Sequence, residues 1–474
     1  NKDIFGKENK RKKMKFMELY SSPLRGEQFK KYVKEIQKIK GKENISDVTY
    51  YGKMLQITNC IYPVTSDDVD DCYGSNGLRN CFTIKNKKPV KYTLKKGITN
   101  FLDLDNLGNY STKIKTIIEK INNSDGITFI YSNFLDGGIM PLVLALEQNG
   151  FIKYDNEEVL ISDKKRKPIS YKGTLLEEGE SRATYSVIAG GSLKLTNDFE
   201  NELNVLNSLE NKDGKLIKVV IGSSVAAEGL DFKNIRNIHL LEPWHNINKL
   251  EQVIGRGIRN CSHGMLEDLS LRNVTVFLHS SELKDSETIE TYMYHECEDK
   301  ATHIGCIERI LKECSIDKYL FQYSNIIKET DIDEIVVNPS LRGNNSFSEK
   351  PFDKDFSRTC SFLEKCDYID KNFTIDDKVG GKKLEESTFT IEYSQPIIDT
   401  YKKYIAIIIT DFFCLTYEEI VSKMKDNFEN YIDDIFNHAL DQMTRDRYTL
   451  IKNKIKGYIK FTDNYYLFQA IDNE

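Results

Sequence analysis

Apolar positions change rhythm twice along the chain, and the changes mark its organisation. Residues 1–45 read as helical and charged, with a basic cluster from Lys10 to Lys13 that suits a solvated face. Residues 46–100 keep no period. Turn signals at Tyr73-Gly74-Ser75-Asn76-Gly77 and Asn86-Lys87-Lys88-Pro89 make them an irregular insertion or linker. From about residue 110, short apolar runs alternate with helix-period segments. Ser111 is placed to cap a helix with the stripe Ile114, Ile117, Ile118 and Ile121. The run Ile127–Tyr131 reads as a buried strand, and a helix around 142–148 ends at Gly150. Further strands are predicted at 185–188, 217–222, 238–241 and 274–279, with helices at 198–209 and 249–259. Strands joined by helical crossovers make an α/β fold with a parallel sheet, whose ligands sit at the carboxyl ends of the strands. Ser223 and Glu242 fall at such ends.

Beyond the sheet, 286–330 reads as helical and 338–349 as a polar loop. The tail from about 396 shows helices and then two strands around Tyr458 to Phe468, turning at Asp463-Asn464, a pattern compatible with a winged helix. The expected domains are therefore 1–100, 101–285, 286–395 and 396–474. No repeat of fixed period is present.

A net charge of −6 and a pI near 5.9 exclude a generally basic coat, so a polyanion site must be a local groove. Ten unevenly spaced cysteines with no signal-like segment point to reduced thiols and a protein that is not secreted. The longest apolar run, 404–410, is too short for a bilayer, so no membrane partner is expected. His295, Cys297, His303 and Cys306 do not converge on one helix face, so no metal site is expected there. Trp244 is expected to pack beside a strand end. The opening residue is Asn1, which suggests a product whose upstream part lies elsewhere.

Chemistry concentrates between 219 and 263. The strand at 217–222 stops at the polar turn Ser223-Ser224 and is followed by Gly229-Leu230-Asp231. The next strand leads to Gln252, Gly255, Arg256 and Arg259. Two arginines three apart, on the first turns of one predicted helix, form a fork suited to a polyphosphate. Gln252 stands four residues before Arg256 on the same face. No G-x-x-x-x-G-K-[ST] loop occurs: Gly380-Gly381-Lys382-Lys383 lacks the spacing and the hydroxyl. Asp333-Glu334-Ile335-Val336 has two acids and follows the predicted sheet.

SSVAAEGLD resembles motif V, and QVIGRGIR motif VI, of the superfamily 2 helicases and translocases; YSNF at 131–134 stands where motif IV belongs. The wider stretch EPWHNINKLEQVIGRGIRNCSH is similar to helicases of nucleocytoplasmic large DNA viruses. That group includes the poxvirus early transcription factor small subunit and nucleoside triphosphatase I. Segments 19–32 and 292–321 and the tail KGYIKFTDNYYLFQ look like the same group. The resemblance implies a second RecA-like lobe with a helical extension. It implies ATP with Mg²⁺ as cofactor, the metal held mainly by a first lobe upstream. Gly229, Asp231 and Gly255 would contact the nucleotide. Gln252 and Arg256 would approach the γ-phosphate, and Arg259 would be the arginine finger. Ser223, Ser224, Tyr131 and Ser132 would touch the nucleic-acid backbone. Val253 stands where many members carry a further arginine.

The implied partners are nucleic acid (DNA before RNA), the first RecA-like lobe, and a viral transcription-factor subunit or RNA polymerase. The implied location is the cytoplasmic viral factory or the virion. Without the phosphate loop the chain alone should not hydrolyse ATP, and the first lobe could be the same or a separate polypeptide. The alternative is a non-catalytic DNA-binding transcription subunit that keeps a helicase-like scaffold.

Overall fold

The apolar runs read as strands between residues 110 and 285 all join one sheet. The computed structural model describes residues 2–11, 13–42, 45, 48–85, 90–155, 160–161, 167–189, 199–224, 230–315, 335–338, 348, 354–366 and 395–471. The chain divides into two units, 1–368 and 369–474. In chain order the first contains β1 (Leu19–Pro23), α1 (Gly26–Ile36), α2 (Val48–Asn59), α3 (Gly74–Cys81), β2 (Phe82–Lys85), β3 (Lys91–Leu94), α4 (Leu104–Leu107) and α5 (Thr112–Asn122). Then come β4 (Ile127–Tyr131), α6 (Met140–Gln148), β5 (Ile152–Lys153), β6 (Thr184–Ile188), α7 (Phe199–Leu206), β7 (Val219–Gly222), β8 (Ile235–Leu240), α8 (Ile247–Ile254), β9 (Thr275–Glu282) and α9 (Ile289–Cys314).

The seven strands run in the order β1-β9-β8-β4-β7-β6-β5, every neighbouring pair parallel. The central strands β4, β7 and β8 are buried at every residue; β4 and β7 are almost wholly apolar, whereas β8 also buries Arg236, Asn237 and His239. Alternate residues feed two cores. Ile130, Tyr185, Val187, Val219 and Ile221 meet Ile114, Ile117, Ile118 and Ile121 of α5 and Leu142 and Leu146 of α6. Phe129, Tyr131, Val220, Ile238 and Leu240 meet Leu250 and Val253 of α8 and Tyr294 of α9. Ser111 caps α5 as expected, accepting from the Ile114 N–H at 3.1 Å.

Three expectations change. Residues 19–23 lie in a stretch read as helical, yet they form β1, parallel to β9 from Leu19↔Leu278 to Pro23↔Glu282. As an edge strand only partly covered, β1 carries a weak apolar signal. The described residues of the stretch read as irregular, 48–85 and 90–100, are packed: Met54, Ile57, Cys60, Tyr62, Leu78, Cys81 and Phe82 are all buried. The glycines misled there. Gly77 lies inside α3 because a Cβ would sit 2.7 Å from the Cys72 carbonyl carbon and 2.5 Å from the Tyr62 ring. Finally, Cys360 and Cys366 form a disulfide where thiols were expected. Ser361 and Phe362, both at positive φ, turn the chain so that the two Cα atoms lie 5.2 Å apart. Cys60, Cys72 and Cys81 are free and buried, and burial pushes the Cys81 thiol up to about 12, so it stays protonated. His295, Cys297, His303 and Cys306 lie on the continuous helix α9, with Cys297 buried and Cys306 exposed. Residues 86–89, 316–334 and 380–383 and most of 338–349 lie outside the described residues.

The second unit contains α10 (Gln395–Asp411), β10 (Cys414–Thr416), α11 (Tyr417–Asn427), α12 (Asp433–Arg445), β11 (Leu450–Lys452), β12 (Ile455–Thr462) and β13 (Tyr465–Ala470). Its sheet runs β10-β13-β12-β11, antiparallel throughout. Thr416 and Glu419 form a capping box on α11. Asp463 and Asn464 turn the β12–β13 hairpin at φ 49° and 67°. The core joins Ile405, Ile420, Phe436 and Leu440 to Leu415, Leu450 and Ile459 of the strands. Helix, strand, two helices and a hairpin in this order are a winged-helix arrangement with one extra strand. Among the described residues no helix is long and apolar enough to cross a membrane.

The first unit also buries a histidine pair. His239 Nδ1 lies 2.8 Å from His279 Nε2, with Phe277 stacked on His239 at 4.4 Å. Burial, with His239 and Lys113 nearby, holds His279 well below the ordinary 6.5. Burial also lowers His245, His263 and His295. A depressed histidine binds fewer protons folded than unfolded, so its stability is present above 6.5 and is lost as pH falls below that. Glu287 works in the opposite direction. Burial raises it to about 7, so its contribution is largest below 4.5 and is lost as pH rises through 7. Urea denaturation should therefore show stability falling from pH 7 to 5.5. His279→Gln should flatten that fall and Glu287→Gln should steepen it; equal slopes in all three proteins would contradict the assignment.

Candidate nucleotide and nucleic-acid site

The helix expected at 249–259 ends at Ile254, so Arg256 and Arg259 do not stand on its first turns. They lie on the turn that follows it. Two glycines cause this. After Gly255 N donates to Glu251 O at 2.7 Å, the N–H groups of Arg256 and Gly257 shift to the i−3 carbonyls of Val253 and Ile254, each at 3.1 Å. Gly257 then passes against β8, where a Cβ would lie 3.0 Å from Ile238 and 3.1 Å from Ile235. Gln252 is exposed on the last turn of α8, and both arginines leave the helix beyond it.

That turn closes onto the chain entering β8. Arg256 Nη1 donates to Leu230 O at 3.0 Å, and Phe232 N donates to Arg256 O at 3.2 Å. Arg259 Nε donates to Gly255 O at 3.2 Å and lies 3.4 Å from Asp231 Oδ1. Two stretches about 25 residues apart thus form one surface. The Arg259–Asp231 pair is about half exposed (42 % and 52 %), and such pairs contribute about 0–1 kcal/mol. A phosphate could therefore displace Asp231 from Arg259 at little cost to the fold. Asp231, expected to contact the nucleotide, has this arginine as its partner here. Gly229 lies outside the described residues.

Asn207, not singled out from the sequence, holds this surface in place. Its Nδ2 donates to Asp231 O at 2.9 Å and its Oδ1 accepts from Lys233 N at 2.8 Å. A lone asparagine near the end of α7 gives no signal of this. Asn207→Ala should cost about 1 kcal/mol and accelerate hydrogen exchange at the Lys233 amide; unchanged exchange would show that the clamp is dispensable.

The residues expected to touch nucleic acid separate. Ser224 is exposed at the end of β7. Ser223 is buried, its N–H donating to Ile188 O at 3.1 Å. Tyr131 and Ser132 are buried and face inward, against expectation. Tyr131 donates to Asn133 Oδ1 at 2.9 Å, and Ser132 Oγ to Glu242 Oε1 at 3.0 Å. Trp244 is half-buried against the core that holds α8.

Beneath the sheet's carboxyl edge lies a polar network that the sequence did not reveal. Lys113 Nζ, fully buried, donates to Asn59 Oδ1 at 2.7 Å and Leu241 O at 2.8 Å, and pairs with Glu290. Glu290 also accepts from Thr58 Oγ1 at 2.9 Å and Ser281 N at 2.6 Å. Glu242 accepts from Asn59 Nδ2 at 3.1 Å and from the Asn133 N–H. Burial raises the Glu242 carboxyl, while the Asn133 N–H and Lys113 pull it back. One cation and two carboxyls so tie the ends of β4, β8 and β9 to α2, α5 and α9. Among the described residues no group of three or more His, Cys, Asp or Glu could hold a metal ion.

Residues 148–261 match the helicase conserved C-terminal domain. The chain is 26 % identical over 412 residues, 77 % of its length, to a protein of Acanthamoeba polyphaga mimivirus whose name describes it as an ATP-dependent RNA helicase. It is 33 % identical over 159 residues, 30 % of its length, to nucleoside triphosphatase I of Choristoneura biennis entomopoxvirus. It is 26 % identical over 235 residues, 44 % of its length, to the termination factor NPH-I homolog of African swine fever virus. The chain spans 35 %, 24 % and 33 % of those relatives. Among solved structures, the C-terminal part of the Fun30 ATPase domain aligns at 13 % identity and a TM-score of 0.36, covering 67 % of this chain and 95 % of that one. The chain thus carries a helicase conserved C-terminal domain and is related to the helicases and nucleoside triphosphatases of large DNA viruses.

Proposed function

We propose that the chain supplies the second RecA-like lobe of an ATP-driven superfamily 2 helicase or translocase acting on nucleic acid, DNA before RNA, in viral transcription. The observation that carries this reading is the surface on which Arg256 holds Leu230 O and Arg259 pairs with Asp231. The donor set fits a nucleoside triphosphate: two guanidinium groups and a loosely paired carboxylate on one surface, with the exposed Gln252 on the helix turn before them. In this reading Arg259 exchanges Asp231 for the γ-phosphate and neutralises charge developing there. Arg256 and Gln252 orient it, and Gly255 and Gly229 let the backbone come close. ATP brings Mg²⁺, which a lobe with a phosphate loop would hold; the sequence here contains no such loop. Hydrolysis therefore needs that lobe, in the same polypeptide or a partner.

Ser224, with Ser223 behind it, grips the strand's phosphates, and closing and opening of the two lobes steps the pair along. A viral transcription-factor subunit or RNA polymerase is the proposed partner, in the viral factory or the virion. The test is ATP hydrolysis by the protein with both lobes present, with and without nucleic acid. Nucleic-acid-stimulated hydrolysis that depends on Arg259 is expected. No hydrolysis even with an intact phosphate loop would leave the scaffold reading instead.

A further inference from the structure

The strands β10 to β13 hold Lys452, Lys456 and Lys460 and no acidic residue, in a chain whose 73 acidic residues outnumber its 67 basic ones. The helices of the unit share a core with Leu415, Leu450 and Ile459 on one face of this sheet. Strand alternation then places Lys456, Tyr458, Lys460 and Thr462 of β12 on the other face. The register sets Tyr465, Leu467 and Gln469 of β13 beside them. Lys456 and Lys460 are exposed, and Tyr465 is 45 % exposed. Arg447 extends the patch, its guanidinium carbon 5.1 Å from the centre of the Tyr458 ring.

α12 presents the opposite charge. A winged helix normally offers the second helix of its helix-turn-helix to a major groove. The exposed side of α12 instead carries Asp433, Asp434 and Asp441, and its Arg445 is paired with Asp441. Those carboxylates would meet duplex phosphates and repel them. We propose that the open sheet face of the C-terminal winged-helix unit, built on Tyr458, Tyr465, Lys456, Lys460 and Arg447, binds single-stranded nucleic acid. Lysines meet the backbone and tyrosine rings stack on bases, which a single strand exposes and a duplex hides. The two tyrosines are four residues of strand apart in register, about 13 Å, so each ring takes its own base.

The test is fluorescence anisotropy of a labelled oligo-dT with the full chain across a salt series. Lys456→Ala with Lys460→Ala should weaken binding and lower the salt slope by about 1.4. Tyr458→Ala and Tyr465→Ala should each weaken it by about tenfold, with Tyr465→Phe close to wild type. In the unsubstituted chain, photocrosslinking of an iodouracil-containing strand should label peptides within 447–470. Wild-type binding by the lysine and tyrosine variants, with crosslinks only around 223–231, would overturn this proposal and leave the lobe's own role standing. Preference for duplex, lost in Arg445→Ala, would overturn it in favour of α12. No binding of oligo-dT would overturn it too.

Discussion

Arg259→Ala should lower nucleic-acid-stimulated ATP turnover by about 10³-fold or more in the protein that carries both lobes, the range known for arginine fingers. The arrangement predicts more than the loss. The partners of Arg259 are Gly255 O and the half-exposed Asp231, so its removal should cost the fold no more than about 1 kcal/mol. Arg256 differs, since it is only partly exposed and tied to Leu230 O at 3.0 Å. Arg256→Ala should therefore lose turnover together with some stability. Arg259→Lys, which keeps the charge but not the fork, should recover only part of the rate. Turnover at the wild-type rate in Arg259→Ala, measured with thermal melts of the same samples, would remove the arginine-finger assignment.

Lys113→Met should destabilise the first unit by about 3–5 kcal/mol, the largest structural effect expected here. Its ammonium is fully buried and serves Asn59, Leu241 O and Glu290 together. Without it Glu290 becomes an unpaired buried carboxylate and Glu242 loses an attractive charge. Adding Glu290→Gln should restore part of the loss, because a neutral amide can be buried at lower cost than a charge. Urea denaturation of the single and double variants makes the comparison. A loss below 1 kcal/mol for Lys113→Met would mean that the network does not hold the sheet's carboxyl edge.

Buried strands with helical crossovers were legible where their residues are mostly apolar, as in β4 and β7; β8 was seen only from Ile238 on, because Arg236 and Asn237 interrupt its apolar run. β1 was not legible, since an edge strand is covered only in part and LYSSP carries little apolar signal. The packed elements between 48 and 94 were hidden by glycines that read as turns but serve close packing, as Gly77 does. In the candidate site, Arg256, Arg259, Asp231 and Gln252 stood out by residue type and spacing, and the structure brings Arg256, Arg259 and Asp231 onto one surface. Asn207, Lys113 and Glu290 were not, since each acts through partners distant in sequence.

Local sequence alone determined the periodicity of the sheet and its helices, the cap at Ser111, the hairpin turn at Asp463-Asn464 and the residue types that can meet a phosphate. Each of these depends on neighbours within a few positions, where backbone sterics and side-chain spacing act directly. Only the tertiary structure decided that α8 stops at Ile254, that Arg259 faces Asp231, and that Tyr131 and Ser132 turn inward while Ser224 stays exposed. Those outcomes depend on which strands lie side by side. Burial then determines which polar groups must find partners and which stay available to a ligand.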